Sequence, residues 1–219
     1  MPKLTVLAAL AFAVLGGGAF AGSPDGIEGP VTEWAAISGD PEKPRRHFRV
    51  RDPARLDPAA AAAMYRDIAY DLTRIYESSG VKAARGYQKW RIYNTSPYLS
   101  VTHGQRYVNN YANSLAADYG RFERSGAMPE GAVIVKDSIA VTADGEIYPG
   151  PLFLMEKMAA GFRNATGDWR YTMIMPDGSL FGVTNGKDSA RVEYCIGCHL
   201  ARERYDHLYF PPKAFRIAP

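Results

Sequence analysis

Cys195-Ile196-Gly197-Cys198-His199 is the string in this chain whose residue types and spacing point most directly to a chemistry. Two thiols three residues apart, with an imidazole beside the second, are what covalent attachment of a c-type haem requires. The thiols add across the two porphyrin vinyl groups, and the histidine on the same turn reaches the iron from the proximal side. Three other chemistries use part of the string. A redox dithiol also has Cys-x-x-Cys, but near the start of a strand–helix–strand unit rather than about 20 residues from a C-terminus. A structural zinc needs about four ligands, and beyond His199 only His207 is at hand. A plain disulfide has no use for His199. One haem consumes both of the 2 cysteines the chain possesses.

That consumption matters because the N-terminus reads as an export address. Lys3, the apolar run Leu4 to Leu15 and the small-x-small triplet Ala19-Phe20-Ala21 predict a signal peptide over residues 1–21, cleaved after Ala21. The expected destination is the periplasm of a Gram-negative cell, where free thiols survive poorly. The apolar run is short of the ~20 residues of a membrane span, and no later segment approaches that length. A chain of 219 residues with 47% hydrophobic and 22% charged content has the balance of one globular domain with an appendage. Its formal net charge of +3 gives no reason to expect nucleic acid.

The elements that must position the motif follow in order. Residues 22–80 read as an extended lead-in and then an amphipathic helix over 57–79. Asp57-Pro58 starts the helix, Met64, Ile68, Leu72 and Ile75 form its apolar stripe, and Gly80 stops it. Its stripe is expected to dock on the domain of residues 81–219. Tyr87 to Val101 suggests short strands and turns. Tyr107, Tyr111, Leu115, Tyr119 and Phe122 recur at helical spacing and predict a second helix closing at Gly126. Asp144-Gly145 marks a hairpin between Ile139–Val141 and Ile147–Tyr148. Leu152 to Met155 and Trp169 to Met175 read as strands, the latter ended by Pro176-Asp177-Gly178-Ser179. The fold class is α+β: an antiparallel, sheet-rich domain with an N-terminal amphipathic helix and a short C-terminal helix carrying the motif.

Several strings together resemble the cytochrome P460 and cytochrome c′-beta family. They are Met128-Pro129-Glu130-Gly131-Ala132-Val133-Ile134-Val135-Lys136-Asp137, Gly167-Asp168-Trp169, the Cys-x-x-Cys-His motif and Tyr209-Phe210-Pro211. The likeness runs from about Tyr87 to Arg216. It implies a largely antiparallel β fold, a homodimer, and a five-coordinate haem with an open distal face. In the P460 branch a lysine is cross-linked to the macrocycle, and Lys136 matches that position. Strand alternation puts Ala132, Ile134 and Lys136 on one face. A lysine continuing an apolar face is costly unless its amine is paired, bonded or exposed. The plainer reading is a stem lying on the sheet with its amine in water. The branch also has an acidic distal residue, for which Glu156 is the candidate match. His103, in a polar segment on the implied distal side, is the candidate to donate a hydrogen bond to bound ligand. Trp169, Tyr171, Met173 and Met175 share a strand face and can wall a pocket, or at least two of them can be ordinary core. His47 and His207 read as surface or core histidines.

Three functions stay open. An enzyme would oxidise hydroxylamine or a related small nitrogen species, delivering electrons to a soluble acceptor such as another cytochrome c. A c′-beta-like protein would hold nitric oxide without turnover. An electron carrier would close the iron with an axial methionine or histidine.

Overall fold

Asp57 and Pro58 do at the start of helix α1 (Pro58–Ser78) what their types dictate. The Asp57 carboxylate accepts from the Ala60 amide at 2.8 Å, and Pro58 fills the first turn, where no amide donor is needed. Gly80 then turns the chain away with φ at +75°, a conformation that a side chain would strain. The structure is a computed structural model that describes residues 31–32 and 46–217. The expected signal peptide and most of the lead-in lie outside the described residues.

Strands β1 (Val31–Thr32) and β2 (Arg49–Val50) pair with each other. The main sheet is built from β3 (Arg91–Ile92), β4 (Tyr98–Ser100), β5 (Arg106–Ala112), β6 (Val133–Val141), β7 (Ile147–Pro149), β8 (Leu152–Lys157), β9 (Trp169–Ile174) and β10 (Leu180–Val183). All of its pairings are antiparallel, in the order β10-β9-β8-β6-β5-β3, with β4 on β5 and β7 on β6. Helix α2 (Glu193–Leu200) follows and carries the Cys-x-x-Cys-His motif. The chain is therefore α+β and rich in antiparallel sheet.

Strand alternation divides the core. On one face Tyr107, Tyr111, Val133, Val135 and Leu154 pack against Leu72 and Tyr76 of α1. On the other, Ala112, Ile134, Met155 and Tyr171 pack against Ile196 of α2 and Leu208. Every residue of β5 and β6 is buried, because both faces of the central strands are covered.

That double burial explains where the sequence misleads. Tyr107 and Tyr111 lie on β5 and not on a helix. A spacing of four returns to the same face of a strand as well as of a helix, and a strand buried on both faces shows no polar alternation to decide the matter. Helical backbone begins only with the 3-10 stretch Ser114–Arg124, which is itself broken at Phe122, with φ at 54°. The hairpin at Asp144-Gly145 forms as expected, pairing Val141 with Ile147.

Candidate haem site

The site is built on two successive rows of the sheet. Lys136, Phe153 and Met173 lie opposite one another across β6, β8 and β9, and Ile134, Met155 and Tyr171 form the next row. Two residues separate the rows, a step of about 7 Å along the strands. Together they floor a pocket between the sheet and α2. His47, Thr102 and His103 wall it in one direction, and Cys195, Cys198, His199 and Tyr209 complete the lining.

Helix α2 aims its motif by spacing alone, since positions 195, 198 and 199 fall on one side of a helix. Its first turn is tied down by Arg163, which donates to both Glu193 carboxylate oxygens at 2.9 Å. The His199 ring lies against Tyr171 and Tyr209, with centroids at 5.0 and 5.1 Å. Its Nδ1 donates to the His207 carbonyl at 2.7 Å. That bond fixes the tautomer and leaves the Nε2 lone pair for a metal. Burial, reinforced by the nearby Lys136 charge, lowers its pKa to about 3, so the ring is neutral.

The carbonyl that holds His199 is itself held. Asp206 and His207 both adopt left-handed backbone, at φ of 53° and 62°. The Asp206 carboxylate accepts from Lys157 Nζ at 2.5 Å and from the Met128 amide at 2.7 Å, while its carbonyl accepts from Trp169 Nε1 at 2.9 Å. His207 thus serves through its backbone. Its ring packs on Gly167, where the glycine leaves room for it.

The Cys195 thiol has the wrong character for the attacking thiol of a redox dithiol. Burial pushes Cys195 up to about 12, whereas a disulfide-exchanging cysteine is shifted down. Neither cysteine is in a disulfide.

Lys136 is buried, at 7% exposure, and lines the pocket rather than the outer surface where a snorkelling lysine would end. Among the described residues it has no hydrogen bond or ion pair. The Tyr209 ring, 5.9 Å away, is the aromatic face it meets. Desolvation alone brings its pKa down to about 8. A neutral, nucleophilic amine is then within reach near neutral pH.

The histidines were the least legible part. His103 lines the pocket, buried, with Nδ1 at 3.0 Å from Ser100 Oγ and 3.2 Å from Thr102 Oγ1. His47 stacks on it with ring centroids 5.2 Å apart, and its own Nδ1 meets the Tyr194 hydroxyl at 2.7 Å. Both rings rest on Phe153, at 4.8 and 4.9 Å. Nothing in Arg45-Arg46-His47 announces this placement; only the apolar Phe48 and Val50 that follow hint that the chain is turning inward.

Glu156 does not meet the expectation of an acidic distal group. Phe153 and Met155 face the pocket, so alternation along β8 turns Glu156 to the opposite face. There Arg170 donates to its two carboxylate oxygens at 2.8 and 3.1 Å. Of the four candidate wall residues, Tyr171 and Met173 line the pocket. Trp169 and Met175 are core.

A pocket with two thiols and a neutral imidazole on a helix, facing a β-sheet that carries an unpaired buried amine, is the frame of a sheet-based c-type cytochrome. The residues fit a haem: donor set and tautomer both suit it. The chain matches the family model for cytochrome P460 over residues 84–210 and belongs to that family. It is a haem c cytochrome of the P460 kind. No curated protein matches it. Among the described residues no helix is long and apolar enough to cross a membrane.

Proposed function

We propose that Cys195 and Cys198 bind the haem through thioethers, that His199 ligates its iron, and that Lys136 is bonded to the macrocycle. In this reading the protein oxidises hydroxylamine or a related small nitrogen species in the periplasm, passing electrons to another c-type cytochrome. The haem supplies an iron that binds the nitrogen and takes up electrons. The observation that carries the reading is the Lys136 amine, buried in the same pocket as the motif with no partner among the described residues. A buried cation with no ion pair is costly, and bonding the amine removes that cost. Around it Phe153, Met155 and Met173 give an apolar lining that favours small neutral substrates over water.

A second reading, nitric oxide held without turnover, draws on the same wall. Phe153 stands in the pocket, and no carboxylate lines it among the described residues. Hydroxylamine oxidation with ferricyanide as acceptor, measured beside nitric oxide binding, separates the two. Wild type should turn over and show a strongly red-shifted ferrous band, while Lys136→Arg keeps thioether haem but loses both. Nitric oxide binding without any wild-type turnover would select the second reading.

A further inference from the structure

Oxidation of hydroxylamine releases protons with its electrons; to the nitroxyl level the balance is NH2OH → HNO + 2H⁺ + 2e⁻. The electrons leave through the iron to a one-electron acceptor, and the protons need a base. Resting on the reading above, we propose that His103 is the proton acceptor of the pocket, that Thr102 passes the proton to solvent, and that His47 is a positioning residue holding the His103 ring.

The placement is favourable on three counts. His103 rests on Phe153, in the sheet row next to that of Tyr171, against which His199 lies. The two imidazoles therefore flank the pocket from successive rows. In the tautomer that the proposal takes, the His103 Nδ1–H donates to the Ser100 or Thr102 hydroxyl, 3.0 and 3.2 Å away, and the Nε2 lone pair is left for a substrate proton. Thr102 is exposed although His103 is buried, so its hydroxyl is a step from the ring to water.

In the transfer, a substrate O–H or N–H bond breaks and an N–H bond forms at Nε2. The Nδ1 proton then leaves through the Thr102 hydroxyl to water. The ring then carries its hydrogen at Nε2, so His103 accounts for one of the two protons and the other leaves to water. Burial, and after it the nearby Lys136, His47, His199 and Arg106, lower the His103 pKa well below the usual value, so the ring is neutral and quick to release a proton. Bonding Lys136 to the macrocycle would remove the largest of these charges and bring His103 closer to the affinity a base needs near neutral pH. His47 lies upstream of the matched region, residues 84–210, so part of the pocket wall comes from the chain that precedes it.

Cyanide tests proton transfer apart from turnover, because it arrives as HCN and binds ferric haem as the anion. Cyanide association and hydroxylamine turnover are measured on the holoprotein as wild type, His103→Ala, His103→Gln and His47→Phe. Both His103 variants should bind cyanide and turn over about 100-fold more slowly, with added imidazole restoring His103→Ala. His47→Phe, which keeps an aromatic stack but loses the Tyr194 contact, should slow cyanide association less than the His103 variants do and move its pH midpoint. Cyanide rates within about three-fold of wild type in both His103 variants would overturn the proposal. So would a low-spin two-imidazole resonance signal in wild type that vanishes in His103→Ala, since His103 would then be a ligand. A wild type that never oxidises hydroxylamine, yet binds cyanide in a His103-dependent way, would reject the enzyme reading and leave the base in place.

Discussion

Lys136 and Asp137 are chain neighbours that strand geometry sends to opposite faces of β6, and each is buried there for a different reason. Lys136 was legible because it continues an apolar alternation within a recognisable string. Asp137 was not, because its partners come from far along the chain: Tyr65 Oη donates to its Oδ2 at 2.5 Å and Tyr87 Oη at 2.8 Å, across 72 and 50 positions. Burial outweighs those bonds and raises the Asp137 pKa from 3.8 to about 6. A folded-state pKa above the unfolded value means the group's contribution to stability is present below about pH 4 and is lost as pH rises through 6. Asp137→Asn should therefore gain on wild type between those pH values, whatever constant offset its amide introduces. Urea midpoints of both holoproteins across pH 4 to 7 check this, and a flat difference would contradict it.

Among the elements, α1, the hairpin at Asp144-Gly145 and strands β8 and β9 follow from caps, turn residues and runs that the sequence displays. Strand β5 does not, since spacing of four fits both periods. The loop after α2 is a further illegible element, because two successive left-handed residues, Asp206 and His207, are neither glycine nor asparagine. Yet that loop sets the tautomer of His199. Asp206→Ala removes the acceptor of the Lys157 amine and the Met128 amide, so the His207 carbonyl loses its support. The expected cost is about 1–3 kcal/mol of stability, with a lower iron–histidine stretching frequency in the ferrous protein by resonance Raman. An unchanged frequency would show that the carbonyl is aimed by other means.

At the scale of the molecule the sheet is a partition with α1 on one face and the haem pocket on the other. Leu72 has no exposure and belongs to the α1-side cluster. Leu72→Ala should thus cost about 2–5 kcal/mol in denaturant unfolding while leaving the haem spectrum unchanged. The general architecture was readable in the sequence, as was the motif that names the cofactor. The far wall was not: His47 and Thr102 reach the pocket only through folding of loops whose local sequence reads as surface.

The central claim is that one haem joins α2 to β6 through three side chains. Mass spectrometry of the tryptic digest tests it most directly. If Lys136 is bonded, trypsin cannot cut after it, and the haem should join the 192–202 peptide containing Cys195 and Cys198 to an uncut 125–157 peptide. A haem carried by the 192–202 peptide alone, with cleavage at Lys136 complete, would contradict the account.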